Sequence, residues 1–306
     1  MKKFEIRILG SGAAAPTPYF LTTSQLVNIH DQLILIDCGE GTQLTLRKAK
    51  AKFQKIKTIL ISHMHGDHTL GLPGLIASMN LLGRTTELNV FGPAELEEMV
   101  RKVWHLTGTH IEFKVNFSVL DSEKKATVLE ADSYLVQSFP TKHRIPTCGF
   151  IISEKEGGYS LKPNARKKFK LNHLEIQNLK RGEDVVRADG VIKNSRCCNP
   201  PKKARSYAFA ADSAFSPKVV DSVKGCSLLY HEATFESKDS AIAKKTQHST
   251  SKDAARVASE GGVGHLLLGH YSNRYRDLST LLKEAQEVFT NSSLSVEGKT
   301  YSIDNM

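Results

Sequence analysis

Short apolar runs rich in β-branched residues punctuate this chain. They are FEIRILG (4–10), QLILIDCG (32–39), KTILISH (57–63), ELNVFG (87–92), SYLVQSFP (133–140), CGFIIS (148–153), SYAFAAD (206–212), SLLYHE (227–232) and HLLLGH (265–270). Their length and composition predict strands. Helical periodicity appears between or after several of them, at 40–50, 69–82, 94–106, 214–224, 251–260 and 277–289. Strands alternating with helices imply an α/β fold. The early strands follow one another closely, which suits a mixed sheet or two stacked sheets better than one strictly parallel sheet. No fixed-period repeat is present.

The pattern breaks at 154–205. This segment holds Gly157, Gly158, Pro163 and the Pro200-Pro201 pair, with only short apolar stretches. It reads as an insertion, a helix or two on flexible stems, outside the core of an otherwise single domain spanning 1–306. Charge sharpens the reading. The chain carries a net charge of +10, yet residues 162–205 alone hold 13 Lys/Arg against 4 Asp/Glu. Nearly all the excess positive charge lies there, as expected of a surface that meets a polyanion.

The remaining composition narrows the class. With 306 residues, 40% of them hydrophobic, a sizeable core can form. No run of about 18 apolar residues exists to span a membrane, and MKKFEIRILGSG reads as a first strand, not a leader. Five cysteines are scattered without a CxxC pair, so a reduced, cytoplasmic setting is expected.

The chemistry concentrates at strand ends. LISHMHGDHTLGLPG (60–74) packs His63, His65, Asp67 and His68 into six positions directly after an apolar run. Asp37, His143, Asp212, His231, Glu232 and His270 also follow strand-like runs. Loops at the carboxyl ends of strands line the ligand crevice in α/β folds, so these residues can converge. Zinc takes imidazole nitrogens and carboxylate oxygens in sets of about four. One turn can therefore feed two metals, His63 and His65 to one, Asp67 and His68 to the other. His143 can complete the first, His270 the second, and Asp212 can bridge both. Asp37 is expected to orient a ligand. An oxygen- and nitrogen-rich set would also accept manganese.

HMHGDH resembles the H-x-H-x-D-H signature of the metallo-β-lactamase superfamily. The surrounding text resembles a narrower family, ribonuclease Z, which matures transfer RNA 3′ ends. The matching stretches are ILGSGAAAPT (8–17), LIDCGEGTQ (35–43), ISHMHGDHTLGLPGL (61–75), HRIPTCGF (143–150), AADS (210–213) and LLLGHYSNRY (266–275). HEATF (231–235) and HST (248–250) are the most diagnostic. The likeness spans nearly the whole chain.

The resemblance implies an αβ/βα sandwich, two mixed sheets flanked by helices, with a protruding basic arm at 154–205 that holds RNA. It implies one zinc on His63, His65, His143 and Asp212, and another on Asp67, His68, Asp212 and His270. Metal-activated hydroxide would attack a phosphodiester of precursor tRNA, removing the 3′ trailer and leaving a 3′-hydroxyl. Asp67 would accept a proton, and His248, oriented by Glu232, would protonate the leaving oxygen. Arg166, Lys167, Lys168, Lys170, Lys180, Arg181 and Arg274 are candidate RNA contacts, and a homodimer is expected.

Two stretches depart from the family. The arm reads LNHLEIQNLKRG (171–182), without the usual Gly-Pro turn. PTPYFLTTS (16–24) lacks the basic residues linked to rejecting CCA-bearing ends, so discrimination against such ends is expected to be weak. Two rival readings use the same residues. One is a hydrolase or phosphodiesterase of this fold acting on a small ester or phosphodiester. The other is a non-catalytic RNA-binding module, which would have little use for the intact ligand set.

Overall fold

The computed structural model describes residues 2–305. Contacts divide the chain into two units, Met1–Ile152 with Ser206–Met306, and Ser153–Arg205. The larger unit carries two seven-stranded sheets. The first runs, in spatial order, Thr300–Ser302, Phe4–Gly10, Ser24–Ile29, Gln32–Ile36, Ile56–Leu60, Leu88–Gly92 and Val115–Val119. Its early neighbours pair antiparallel, and it turns parallel from Gln32–Ile36 onward. The second runs Ser292–Leu294, His265–Gly269, Leu228–Glu232, Ser206–Ala210, Cys148–Glu154, Tyr134–Pro140 and Ala126–Glu130. It is parallel at one edge and antiparallel at the other. These are the two mixed sheets flanked by helices that the resemblance implied.

Strand alternation explains the layering. Phe4, Ile6 and Ile8 join Tyr207, Phe209 and Leu267 in one core between the sheets. The intervening Ala208, Ala210, Leu266 and Leu268 face helices Pro217–Val223, Ser251–Gly261 and Ser279–Gln286. On the other side, Leu35, Ile59 and Val90 pack under Thr42–Lys48, Leu72–Leu81 and Leu96–Leu106. Each large side chain fully buried in this way contributes about 1.5–3 kcal/mol.

Several elements were not expected from the sequence. Ser24–Ile29 is buried over most of its length, but Gln25 and Asn28 interrupt its apolar pattern. Val115–Val119 and Ala126–Glu130 are half-exposed edge strands, and Ser240–Thr246, SAIAKKT, shows no apolar stripe. The helical pattern at 69–82 resolves into two pieces, Gly66–Thr69 and Leu72–Leu81. No helix among the described residues is long and apolar enough to cross a membrane.

The unit Ser153–Arg205 has a small apolar centre of its own, including Leu171, Leu179, Val185 and Cys197. It contains three short helices, Ala165–Lys168, His173–Lys180 and Asn194–Cys197, and two two-stranded sheets, more structure than the expected helix or two. Glu154 and Arg205 close its ends through a bidentate pair at 2.6 and 2.9 Å. The stretch lacking Gly-Pro forms a helix with a capping box, Asn172 accepting from Glu175 N–H and Glu175 from Asn172 N–H.

Candidate metal centre

Ile56–Leu60 ends just before Ser62-His63, and the chain then turns through His65 into the short helix Gly66–Thr69. This turn is locked onto the segment after Gln32–Ile36. Cys38 N–H donates to His68 O (2.8 Å) and Gly71 N–H to Cys38 O (2.9 Å). A Cβ on Gly39 would lie 2.2 Å from Asp67 O and from Thr22 Oγ1, so only glycine permits that approach. Asp37 and His270, both at strand ends, adopt left-handed backbone at φ 55° and 58°. Such strain is tolerated where the surroundings over-determine a conformation, as functional sites do.

The strand ends bring the expected residues together. Donor atoms of His63, His65, His143 and Asp212 lie within 4.8 Å of one another, as do those of Asp67, His68 and His270. Asp212 stands between the groups. Its Oδ2 is 3.5 Å from His63 Nε2 and 3.7 Å from His143 Nε2. Its Oδ1 is 3.3 Å from His68 Nε2 and 3.1 Å from His270 Nε2.

Outer hydrogen bonds set which ring nitrogen points inward. His68 Nδ1 donates to Asp37 Oδ2 (2.7 Å) and His143 Nδ1 to Gln247 O (3.0 Å). Those acceptors cannot donate, so in each neutral ring Nε2 is the nitrogen left with a lone pair. Burial lowers the His68 pKa, but Asp67, Asp212 and Asp37 outweigh it and raise it, which favours a positive charge, proton or metal, at that nitrogen. Ser62 gives its hydroxyl proton to Asp37 (2.9 Å) and accepts from His63 Nδ1 (3.0 Å). Thr234 likewise donates to Glu232 Oε2 (2.5 Å) and accepts from His270 Nδ1 (2.9 Å). Four rings are thus held in the tautomer a cation needs. Of these supports, only Asp37 was legible in the sequence. A hydroxyl beside each histidine-bearing motif, Ser62 in LISH and Thr234 in HEATF, was the available signal for two others.

Electrostatics argue that divalent cations fit here. Nothing among the described residues pairs Asp37, Asp67, Asp212 or Glu232 with a Lys or Arg. Buried carboxylates without such partners are characteristic of metal sites. His68 Nε2 and Asp212 Oδ1 are buried without a hydrogen-bond partner. His63 Nε2 and His65 Nδ1 sit 2.9 Å apart, a close approach of inward nitrogens that a shared cation would relieve. Burial, with neighbouring rings, pushes the His65 pKa down to about 4 and lowers those of His63 and His143. For Asp67, burial raises the pKa, but His68 and His270 outweigh it and hold the carboxyl well below the ordinary range.

Beside the cluster, Glu232 is fully buried and accepts from Ser213 N–H (2.7 Å), Ser249 N–H (3.1 Å) and His248 Nδ1 (2.8 Å). Burial lowers the His248 pKa, but the charges of Glu232 and Asp212 prevail and bring it up to about 9. A cavity of about 440 Å³ opens here, lined by His65, Asp67, His248 and His270 together with Ala13, Ala14 and Pro16. Ala14 N–H donates to Asp67 Oδ2 at 2.8 Å.

The other candidates lie elsewhere. His231 is buried, its Nδ1 donating to Glu232 O. Arg274 stacks 5.1 Å over Phe235, with Nη1 3.7 Å from Asp239, which ties it into the fold. In the Ser153–Arg205 unit, Arg166, Lys167, Lys168, Lys170, Lys180 and Arg181 are all exposed. Arg181 pairs with Glu183 at 3.1 Å.

Comparison with known proteins places this centre in a family. Residues 4–181 match the family model described as anti-Pycsar protein Apyc1; the match ends before Asp212, Glu232, His248 and His270. The ribonuclease Z of Bacteroides fragilis strain YCH46 is 43% identical over 304 residues, covering 99% of this chain and 100% of that protein. The crystal structure of the short form of human tRNase Z covers 98% of this chain and 99% of its own, at TM-score 0.71 and 24% identity. The metallo-β-lactamase fold protein YhfI of Bacillus subtilis superposes with the same TM-score at 18% identity, over 99% of this chain and 100% of that one. The chain belongs to the ribonuclease Z family, endoribonucleases that hydrolyse phosphodiester bonds, on an amino-terminal scaffold shared with the Apyc1 family.

Proposed function

We propose that this protein is a zinc-dependent endoribonuclease that removes the 3′ trailer from precursor tRNA and leaves a 3′-hydroxyl. The observation that carries the reading is the pair of inward-facing histidine groups on either side of Asp212, with the His248–Glu232 couple beside them. His63, His65, His143 and Asp212 would hold one cation, and Asp67, His68, Asp212 and His270 the other. When bound, two such cations supply Lewis-acid charge to a phosphoryl oxygen and acidify water at neutral pH.

The chain's own groups do the rest. Asp67, fixed by the Ala14 N–H, accepts a proton from the attacking water. His248 donates from Nε2 to the leaving 3′ oxygen, because Nδ1 is committed to Glu232. Glu232 keeps that imidazole charged and turned towards the cavity. The basic unit Ser153–Arg205 holds the folded RNA by backbone and shape. A homodimer in a reducing cytoplasm completes the reading; the five cysteines are free and buried.

Trailer cleavage of one precursor tRNA, paired with Asp67→Ala, tests this. Cleavage at the trailer junction by the parent protein, with loss of at least about a hundredfold in the variant, is expected. A large preference for a small phosphodiester over precursor tRNA would favour the rival hydrolase reading.

A further inference from the structure

A second cavity, of about 430 Å³, adjoins the metal centre. Arg144 lines both cavities. His143, whose Nε2 is 3.3 Å from His65 Nδ1, forms part of the second wall. The two spaces therefore flank one set of reacting groups. Arg144 is close enough to His248 for its charge to act there.

The lining of this second lobe is basic. Lys142, Arg144 and Lys218 face a single carboxylate, Glu123. All three cations are exposed, and none forms an ion pair among the described residues. The segment that carries two of them is nonetheless fixed. Thr141 Oγ1 donates to Asp212 O (3.2 Å), Lys142 N–H to Ser213 Oγ (3.1 Å), and Ala214 N–H to Lys142 O (2.8 Å). Unpaired cations on a backbone tied to the bridging aspartate suit a chain of phosphates leading away from the cut.

We propose that this lobe is a backbone-phosphate subsite for the unpaired RNA strand flanking the scissile linkage, held by Lys142, Arg144 and Lys218. It rests on the endoribonuclease reading and adds a contact that the basic insertion does not supply. Grip on the strand beside the cut orients the phosphorus for in-line attack, which binding of the folded RNA alone would leave free to swing.

The test is Lys142→Ala/Lys218→Ala, two exposed positions whose change should leave folding intact, as checked by thermal melting. Binding of precursor RNA is measured with the protein held in chelator, and kcat/KM with metal, over a salt series and on substrates trimmed on either side of the cut. Removing two phosphate contacts should lower affinity about tenfold and reduce the salt slope by about 1.4. The gap to the parent should close when one flank is trimmed to a single nucleotide. Lys142→Arg/Lys218→Arg should restore binding. An unchanged salt slope, or a loss that persists when both flanks are trimmed, overturns the subsite. A parent protein that cuts no precursor at all instead overturns the endoribonuclease reading.

Discussion

The Nδ1 protons of His248 and His270 both lead back to one carboxylate. Glu232 binds His248 directly through Oε1 and reaches His270 through the Thr234 hydroxyl on Oε2. Glu232→Gln must place an amide NH₂ among groups that already donate. Its effect should therefore exceed that of losing the proton donor alone. His248→Ala should lower kcat by about 10²–10⁴ with bound metal unchanged. Glu232→Gln should lower kcat comparably and also weaken metal affinity by about 10–100-fold. The double variant should be no slower than the worse single one, because the two residues act as a unit. Single-turnover kinetics and metal analysis decide; additive losses, or unchanged metal affinity in Glu232→Gln, would break the link. At this scale the sequence showed the groups that face the cations, because histidine and aspartate crowded at a strand end have few other uses. It concealed the Gln247 carbonyl and the Ala14 amide, since any residue can offer a backbone group and only folding selects which one.

At the scale of elements, the loop 11–22 illustrates how strand ends are held in place. Gly12 N–H donates to Leu21 O, Ala13 N–H to Tyr271 O, and Tyr271 N–H to Ser11 O, at 2.8–2.9 Å. Glu297 clasps the loop's two ends. Its Oε1 accepts from Leu21 N–H (2.8 Å), Ser11 N–H (3.0 Å) and Ser11 Oγ (3.4 Å). Burial raises the Glu297 pKa, and these donors only partly offset it. The folded state then binds this proton more tightly than the unfolded chain, whose value is near 4.5. The stability it contributes is full below that unfolded value and is lost as pH rises through the folded one. Glu297→Gln keeps Oε1 as acceptor and removes the titration. The melting temperature of the variant relative to the parent should rise as pH increases above about 4.5 and level off beyond the folded pKa. A difference that is flat or falling over this range contradicts the assignment. Neither the clasp nor the buried strand Ser24–Ile29 was visible beforehand. Gln25 is buried within that strand, bonded to Tyr207 of the facing sheet, and a polar residue inside an apolar layer defeats a reading based on alternation. The long apolar strands, by contrast, announced an α/β fold with a mixed sheet or two stacked sheets and helices between the strands; the resemblance supplied the two-sheet sandwich.

For the whole molecule, charge is unevenly divided. The larger unit gathers buried carboxylates and inward nitrogens at its strand ends, whereas the Ser153–Arg205 unit displays Arg166, Lys167, Lys168, Lys170 and Lys180 on its surface. If that surface holds RNA phosphates, changing Arg166, Lys167 and Lys168 together to Gln should raise KM for precursor tRNA about tenfold or more, flatten the salt slope, and leave hydrolysis of a small phosphodiester as it was. A matching loss on the small substrate would mean that the unit serves the fold instead. The insertion was legible as an interruption of pattern and a concentration of charge. Its own apolar centre was not, because Leu171, Leu179, Val185 and Cys197 are too widely spaced to form a run.

The catalytic expectations depend on a cation held in each of the two histidine groups. The direct measurement is anomalous scattering at the zinc edge from crystals of metal-loaded protein. Two peaks are predicted, one among His63, His65 and His143 and one among Asp67, His68 and His270, with Asp212 between them. Peaks located elsewhere, or a fully loaded protein with none at these positions, would contradict the account.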